Sequence, residues 1–199
     1  MKERPIIFST PMVQAILDGR KTQTRRVVKQ KLSSPTAHQI ELEQGFIRDR
    51  GQNLKPIKCP YGKPGDRLWV RETFCVWSYD NNDVWYKASP ISSQGWHNET
   101  LKNNGKKWKP SIHMPKKYAR IWLEVTGVRV ERVQEITVGD ALSEGVGCDF
   151  GKHFDPQEPG PEPDYLFSKL WDSINGKKEG CSWAENPWVF VISFKVIKT

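Results

Sequence analysis

The sequence predicts an α+β fold, a small mixed β-barrel decorated by about three short helices. Several short segments alternate apolar and polar residues, which is the two-residue period of half-buried strands. Three other segments carry helix start and stop signals. Strands and helices follow one another in mixed order, which suggests a helix-decorated barrel. A chain of 199 residues fits one domain, 1–199.

The N-terminal segment predicts one strand and one helix. Residues 4–8, RPIIF, have the composition of a short strand. A helix should follow, with Thr10 as its N-cap, Pro11 at its first position and Gly19 as its stop. Its buried stripe is expected to comprise Met12, Ile16 and Leu17.

Two further strands are predicted in the middle of the chain. In PYGKPGDRLWVRETF, a turn at 64–66 precedes Leu68 and Val70, which share one face of a strand. The segment ARIWLEVTGVRVERV alternates in the same way. Its inward residues are expected to be Ile121, Leu123 and Val125.

Two helices and a strand complete the predicted fold. Thr137 begins a capping-box-like segment, TVGDALSEG, whose helix should end at Gly145. Asp164 is a candidate cap for the last helix, which should end at Gly176. The chain closes with an apolar strand, NPWVFVISFKVI. The apolar face of the last helix comprises Leu166, Phe167, Leu170, Trp171 and Ile174.

Two long polar segments, at about 31–57 and 78–117, are interpreted as insertions into the domain. The second contains several aromatic residues, among them Trp85 and Trp108. These side chains can stack on unpaired bases, or they can form a satellite core that holds the insertion together. The structural interpretation is preferred. His113, between two prolines, is likewise interpreted as structural.

The composition favours a polyanionic partner, nucleic acid first. Lys and Arg number 31 against 23 Asp and Glu, a net charge of +8. Residues 1–30 hold seven bases and two acids, so +5 of that charge lies at the N-terminus. No apolar run is long enough for a transmembrane helix, and the N-terminus lacks a signal-peptide pattern, so a cytoplasmic protein is expected.

The cysteines do not indicate a metal site. The four cysteines are far apart and form no closely spaced pair. Cys148 and His153 lie five residues apart, but no second pair accompanies them. We therefore expect reduced structural thiols and no cofactor.

The segment DGRKTQTRR, residues 18–26, is the candidate functional motif because its basic residues are so closely spaced. Positions 20–31 hold six bases and no acid. Cations at a helix C-terminus are one explanation, because they interact favourably with that end of the macrodipole. A bound phosphate is another, since it would offset the repulsion through hydrogen bonds to guanidinium groups.

A third explanation is catalysis. Lys21 lies three residues before Thr24, a spacing that allows contact in a turn. A threonine hydroxyl needs a base to become a nucleophile, and a lysine is a base only when its pKa is lowered. Like charges nearby have that effect, and they are supplied by Arg20, Arg25 and Arg26.

The segment from Gly19 to Arg26 resembles the GxKxxTxR signature of the ASCH-domain superfamily, whose barrel is similar to the PUA domain. Other stretches resemble a phage- or prophage-associated branch of that superfamily. They are KPGDRLWVRETF, the segments 108–111 and 113–115, DALSEG and NPWVF. Together they extend over nearly the whole chain.

This resemblance implies two kinds of function. Some members hydrolyse N4-acetylcytidine with a lysine base, a threonine nucleophile and a glutamate acid, which correspond here to Lys21, Thr24 and Glu144. Glu135 is the alternative carboxylate. The other function is binding of RNA or a modified base, and some members are ribonucleases. Those compact amidohydrolases have about half this length and lack the two insertions.

Further residues are expected at the site. Arg26 would hold a phosphate or orient the base, with Arg20 and Arg25 beside it. A main-chain amide near Gly19 or Arg20 is a candidate for stabilising an oxyanion. In the VRETF segment, Arg71 would suit the rim of the pocket. Glu72 is either a core partner for an arginine or a pocket carboxylate, because it shares the apolar face of its strand.

Overall fold

The computed structural model describes residues 1–29, 40–43, 46–49, 57–77, 83–89, 91–146 and 162–197. Strands and helices alternate irregularly, so the predicted α+β class is confirmed. The helices are α1 (Thr10–Leu17), α2 (Ile91–Asn103), α3 (Val138–Ser143) and α4 (Pro163–Asn175). The strands are β1 (Glu3–Ile7), β2 (Gln23–Val27), β3 (Ile40–Glu43), β4 (Phe46–Asp49), β5 (Ile57–Lys58), β6 (Arg67–Arg71), β7 (Phe74–Val76), β8 (Val84–Tyr86), β9 (Trp122–Arg132) and β10 (Trp188–Ile197).

The central sheet contains five strands in the order β1-β6-β9-β10-β2. The β1–β6 pair is parallel and the other pairs are antiparallel. The outer strands β1 and β2 lie close to each other. The Arg26 guanidinium, on β2, donates to the Ile7 carbonyl, on β1, at 2.7 Å. The basic motif therefore lies where the two edges of the curved sheet meet.

The two faces of this sheet are covered by different elements. One core packs the inner face against α1, and the other packs the outer face against α3 and α4. Strand β10 is buried on both sides because it contributes to both cores, which explains its nearly continuous apolar run. Inner-core residues include Ile6, Phe8, Leu68, Leu123, Phe190 and Ile192; the outer core includes Val133, Phe167, Trp171, Val189 and Val191.

The helix ends follow the sequence signals in part. The Thr137 hydroxyl caps α3 by accepting from the Asp140 amide, as predicted. The N-caps of α1 and α4 are Ser9 and Glu162. The predictions of Thr10 and Asp164 were therefore wrong, since both residues already belong to the first helical turn. Within the described ranges, no helix combines the length and apolar character that crossing a membrane requires.

The apolar stripe of α1 also differs from the prediction. Leu17 is exposed, and the buried residues are Val13, Ala15 and Ile16. The helix has eight residues and rests on the sheet along its middle. Its last residue therefore extends past the surface that would have covered it.

The three predicted helices correspond to α1, α3 and α4, and the second predicted insertion contains a further helix, α2. Its sequence, ISSQGWHNETLKN, has no clear apolar period, which is why its pattern predicted no helix. A satellite core packs Cys75, Trp85 and Leu101 against Trp77 and Trp108. In the first insertion, β3, β4 and β5 form a separate three-stranded sheet.

Candidate active site

The basic motif forms the connection between α1 and β2. Gly19 ends the helix with φ +73°, a left-handed conformation that favours glycine. The amides of Arg20 and Lys21 both donate to the Ala15 carbonyl at 2.9 Å. The amide of Gly19 donates to Ile16. These amides are engaged within the turn, so they are not available to stabilise an oxyanion.

The end of α3 packs directly on this turn. The Thr22 amide donates to the Ser143 carbonyl at 2.9 Å. Gly145 follows with φ +84°, and a Cβ added there would lie 2.9 Å from the Cβ of Ala15 and 3.2 Å from that of Lys21. Glycine at 145 therefore permits the approach that brings Glu144 to the basic motif.

Lys21 and Glu144 form a buried pair. Lys21 is 1% exposed. Its Nζ donates to Glu144 Oε2 at 2.6 Å and to the Glu144 carbonyl at 2.9 Å. Burial lowers the pKa of Lys21, and the charges of Arg26 and Arg25 lower it further, whereas Glu144 opposes the shift. Burial is thus the main cause of the lowered pKa. Arg20, which was expected from the sequence to contribute, pairs with Asp18 at the surface.

The Arg25 side chain is engaged inside the protein, whereas it was predicted to bind nucleic acid. Its guanidinium is buried and pairs with three carboxylates. The distances are 2.5 Å to Glu131, 2.9 Å to Asp140 and 3.3 Å to Glu144. Arg25 therefore binds Oε1 of Glu144, whereas Lys21 binds Oε2.

The buried network is electrically balanced. Burial raises the pKa of Asp140, but the hydrogen bond and charge of Arg129 outweigh it, so the net shift is downward. Arg129 also pairs with Glu131 at 2.9 Å. The negative charge that offsets Lys21 and Arg25 thus comes from β9, from α3 and from the residue that follows α3. Three cations, Lys21, Arg25 and Arg129, face three carboxylates, Glu131, Asp140 and Glu144.

Thr24 and Arg26 occupy the inner face of β2, opposite to Arg25, because successive strand residues point to opposite faces. The Arg26 guanidinium lies over the rings of Phe8 and Tyr61, at 5.2 and 5.7 Å from their centroids. Lys21 Nζ approaches the same Phe8 ring at 5.7 Å. Lys21, Thr24 and Arg26 therefore lie on the same side of the sheet.

A cleft of about 740 Å³ runs along β2. Thr24 and Glu144 lie together in its wall, and Lys21 is behind Glu144. Leu170 and Ile174, part of the predicted apolar face of α4, line it instead of being fully buried. The remaining wall includes the aromatic residues Tyr61, Phe167, Trp171 and Trp188 and the cationic residues Arg26, Lys29 and Lys178.

The edge of β2 that faces away from β10, which pairs with no other described strand and is called its free edge here, belongs to the same cleft. The amide of Val28 donates to the Trp188 carbonyl, which sets the alternation of the antiparallel ladder. By that alternation, the main-chain N–H and C=O groups of Arg25 and Val27 point away from β10. Both residues line the cleft. A ligand can thus meet main-chain donors and acceptors there.

The other predicted residues lie elsewhere. Glu72, 1% exposed, accepts two hydrogen bonds from Arg120 at 2.8 and 2.9 Å. It is therefore the core partner of an arginine and not a wall of the cleft. Arg71 is also outside the cleft wall and donates to the Ile112 carbonyl. Glu135 is exposed and accepts from the Arg132 amide. His113 is exposed in a short 3₁₀ helix.

Metal chemistry receives no support from the described part of the chain. There, no three His, Cys, Asp or Glu side chains are grouped so that they could hold an ion. Cys148 and His153, the one spacing considered for zinc, lie outside the described residues.

Comparison with known proteins gives a likeness of fold. No family model and no curated protein matches the chain. A solved structure of the DUF984 family from Enterococcus faecalis V583 is similar over 99% of this chain and 80% of its own, with 10% identity and a TM-score of 0.42. An ASCH domain from Lactobacillus crispatus JV V101 is similar over 98% and 79%, with 13% identity and a TM-score of 0.38. At this level of likeness, neither structure indicates a function for this chain.

Several residues of the site were not found from the sequence. Glu131, Asp140 and Arg129 lie more than 100 positions from Arg25, and only folding brings them to it. Asp140 lies in the predicted capping segment TVGDALSEG, but its side chain pairs with Arg25 and Arg129. Trp188 lies in the NPWVF segment. The local sequence pattern does not show whether such a tryptophan lines a cleft or is buried in the core.

Proposed function

We propose that this protein is an amidohydrolase that removes an acyl group from a modified nucleoside such as N4-acetylcytidine. The observation that carries the proposal is the buried Lys21–Glu144 hydrogen bond, whose Glu144 lies with Thr24 in the wall of one cleft. Lysine and glutamate are almost never fully buried unless they are paired. A buried pair whose lysine has a lowered pKa, placed at a cleft, has the features of an acid–base centre.

The pair already contains the proton that the reaction needs. Moving one proton along the 2.6 Å hydrogen bond converts ammonium and carboxylate into amine and carboxylic acid. Burial favours the neutral amine of Lys21. The remaining charges of Arg25, Arg129, Glu131 and Asp140 cancel one another, so this transfer leaves no uncompensated charge. Lys21 then acts as a base and Glu144 as an acid.

In the first half of the reaction, Thr24 Oγ attacks the acyl carbon and its proton passes to the Lys21 amine. The main-chain N–H of Arg25, adjacent to the nucleophile on the free edge of β2, is the candidate oxyanion donor. The C–N bond then breaks, and Glu144 protonates the departing amine. The products of this half are free cytidine and an acyl ester on Thr24.

The second half reverses the two proton roles. The Glu144 carboxylate takes a proton from water, whose oxygen attacks the ester. As the C–O bond breaks, the Lys21 ammonium returns a proton to Thr24 Oγ. Acetic acid leaves, and the amine and carboxylic acid forms of the pair are restored.

The walls of the cleft are suited to a nucleobase. Tyr61 and Trp188 provide aromatic surface, and bases stack on such surfaces. Main-chain donors and acceptors of Arg25 and Val27 match the hydrogen-bonding edge of a base. A volume of about 740 Å³ is within the range of small-molecule sites.

The decisive experiment is hydrolysis of N4-acetylcytidine, followed by separation of cytidine from substrate. Thr24→Ala should abolish release of cytidine. Thr22→Ala is the matched control, because Thr22 is exposed two residues away, and it should keep full activity. Equal activity of wild type and Thr24→Ala would overturn the proposal.

A non-catalytic module that binds RNA or a modified base is the second candidate. The observation that favours it is the pairing of aromatic and cationic residues in the cleft wall. Such a module would bind short RNA with an affinity that falls steeply with salt, because counterions are released on binding. It would release no cytidine from N4-acetylcytidine. Unmodified RNA, included in the same assay, would reveal any ribonuclease activity.

A further inference from the structure

Trp188 has a buried hydrogen-bond donor that nothing in the described chain accepts. The residue begins β10, lines the cleft and is 7% exposed. The Arg132 guanidinium lies over its ring at 4.3 Å from the centroid. Its Nε1–H is buried and has no acceptor among the described residues. Buried indole N–H groups usually find a partner, and one left unpaired is costly.

Other tryptophans show that this is not a general property of the fold. Trp171, also in the cleft wall, donates its Nε1–H to the Cys181 carbonyl at 2.8 Å. Trp85 donates to Asp83 at 3.1 Å. The unpaired N–H of Trp188 is therefore particular to this residue of the cleft wall, and a ligand in the cleft is the candidate for its acceptor.

Two cations line the same cleft as Trp188. Arg26 is a diagonal neighbour of Trp188 on the inner face, since Val28 is opposite Trp188 and Arg26 is opposite Phe190. Its Nε is also buried without an acceptor, and among the described residues no carboxylate pairs with it. Lys29 is exposed just after β2 and lines the same cleft.

The chemistry of this group specifies its ligand. Arginine Nε atoms without an acceptor also occur at Arg4, Arg67 and Arg71, outside the cleft wall, so the indole of Trp188 is the more informative observation. An indole, a guanidinium and an ammonium offer only donors, and two of them are positively charged. Their complement is an anion with several acceptor oxygens. A free nucleoside has no such group.

We propose that Trp188, Arg26 and Lys29 form a phosphate subsite, and that the ligand of the cleft is a nucleotide instead of a free nucleoside. The inference rests on the proposed function only for the choice of cytosine as the base. The phosphate belongs either to a nucleoside monophosphate or to the backbone of an RNA strand. Both sources present the same oxygen atoms to the three donors.

Calorimetric titration of the wild-type protein with three unmodified ligands tests the proposal. They are cytidine, cytidine 5′-monophosphate and a short single-stranded cytidine RNA. At least one phosphate-containing ligand should bind about ten-fold more tightly than cytidine, the effect of one or two charge-assisted hydrogen bonds. Raising the salt concentration should weaken binding of that ligand and leave cytidine unaffected.

Two variants locate the effect. Trp188→Phe keeps the aromatic ring and removes the N–H, and it should reduce the preference for phosphate over cytidine about ten-fold. Lys29→Gln should reduce it in the same direction, and because Lys29 is exposed this substitution removes no core contact. Trp85→Phe is the matched control, since its N–H is already paired outside the cleft, and it should retain the wild-type preference.

The outcomes separate this inference from the proposed function. A stronger response to the monophosphate identifies the monoester as ligand, and a stronger response to RNA identifies the diester. Equal affinity of all three ligands for the wild type would overturn the subsite even if N4-acetylcytidine is hydrolysed. A phosphate preference that Trp188→Phe and Lys29→Gln leave unchanged would also overturn it. A preference lost in both variants would support it even if no hydrolysis occurs.

Discussion

Two ion pairs of this protein each contain a buried glutamate and lie in different environments. Glu144 pairs with Lys21 next to a cleft, whereas Glu72 pairs with Arg120 away from it. Arg120 holds Glu72 with two parallel hydrogen bonds and lies 4.2 Å from the centroid of the Tyr86 ring. That pair therefore connects the sheet to the second insertion.

The difference between the pairs lies in the cation. Arginine stays protonated in proteins, so the Glu72–Arg120 pair cannot exchange its proton. Lysine can become neutral when burial lowers its pKa, as it does at Lys21. One pair is thus a fixed support and the other has the means to transfer a proton. A buried charge alone does not distinguish structure from catalysis, but the identity of its partner does.

Exchanging the cations should give the largest effect. Lys21→Arg keeps the charge but removes the base, so kcat for N4-acetylcytidine should fall about 10²- to 10⁴-fold. The reciprocal variant Arg120→Lys should keep its kcat per folded molecule. Circular dichroism would verify folding. Lys21→Met is a second variant that lacks the base, for use if the larger arginine side chain prevents folding. If Arg120→Lys lost as much kcat as Lys21→Arg, the two pairs could not be assigned different roles.

Breaking the structural pair should affect stability instead. Glu72→Ala leaves Arg120 without its carboxylate, so the free energy of unfolding should fall by about 3 kcal/mol. Urea denaturation measures it. Glu3→Ala, which breaks an exposed pair with Lys116, is the control and should cost less than about 1 kcal/mol. A change at Glu72 as small as that of the control would show that its pair does not support the fold.

The pH dependence should also differ between the pairs. The pKa of Lys21 is lowered on folding, so between that value and the ordinary 10.5 the unfolded chain binds more protons. Stability should therefore rise with pH in this window, by at most about 1.4 kcal/mol per pH unit. Lys21→Met should lack this contribution, whereas Arg120→Lys should retain it. Urea denaturation across alkaline pH gives the slopes, and identical slopes for wild type and Lys21→Met would contradict the assignment.

Activity should decline in the same pH range. Above the pKa of Lys21 the pair loses its one proton, so Glu144 can no longer protonate the leaving amine. The alkaline limb of kcat should thus lie below pH 10.5. An activity that stays constant to that pH would show that the pair does not carry the proton.

The smallest effect is expected at the surface of the second insertion. Trp96 is 59% exposed beside Trp85, so Trp96→Ala should change the free energy of unfolding by less than about 0.5 kcal/mol. If the aromatic cluster is only a satellite core, the variant should bind short RNA as the wild type does. Weaker RNA binding, measured by tryptophan fluorescence quenching, would instead give the insertion a role in recognition.

Much of the fold was predictable because its signals are local. The alternation around Leu68 and Val70, the cap at Thr137 and the long apolar run of β10 all have the expected structure. Helix α2 was missed because its stability comes from contacts of His97 and Leu101 with the aromatic cluster and not from an apolar period. Local patterns carry no information about such partners.

For the candidate site, the sequence by itself determined which chemical groups are adjacent along the chain: Lys21, Thr24 and three arginines behind a glycine. It could not determine their partners, because an unpaired basic run is equally compatible with a phosphate and with carboxylates from distant segments. Only the tertiary structure decided that Arg25 is neutralised internally, that Glu72 supports the core and that Arg26 and Trp188 face the cleft. The physical reason is that burial and charge compensation depend on every element packed around a group, whereas the sequence displays only its neighbours in the chain.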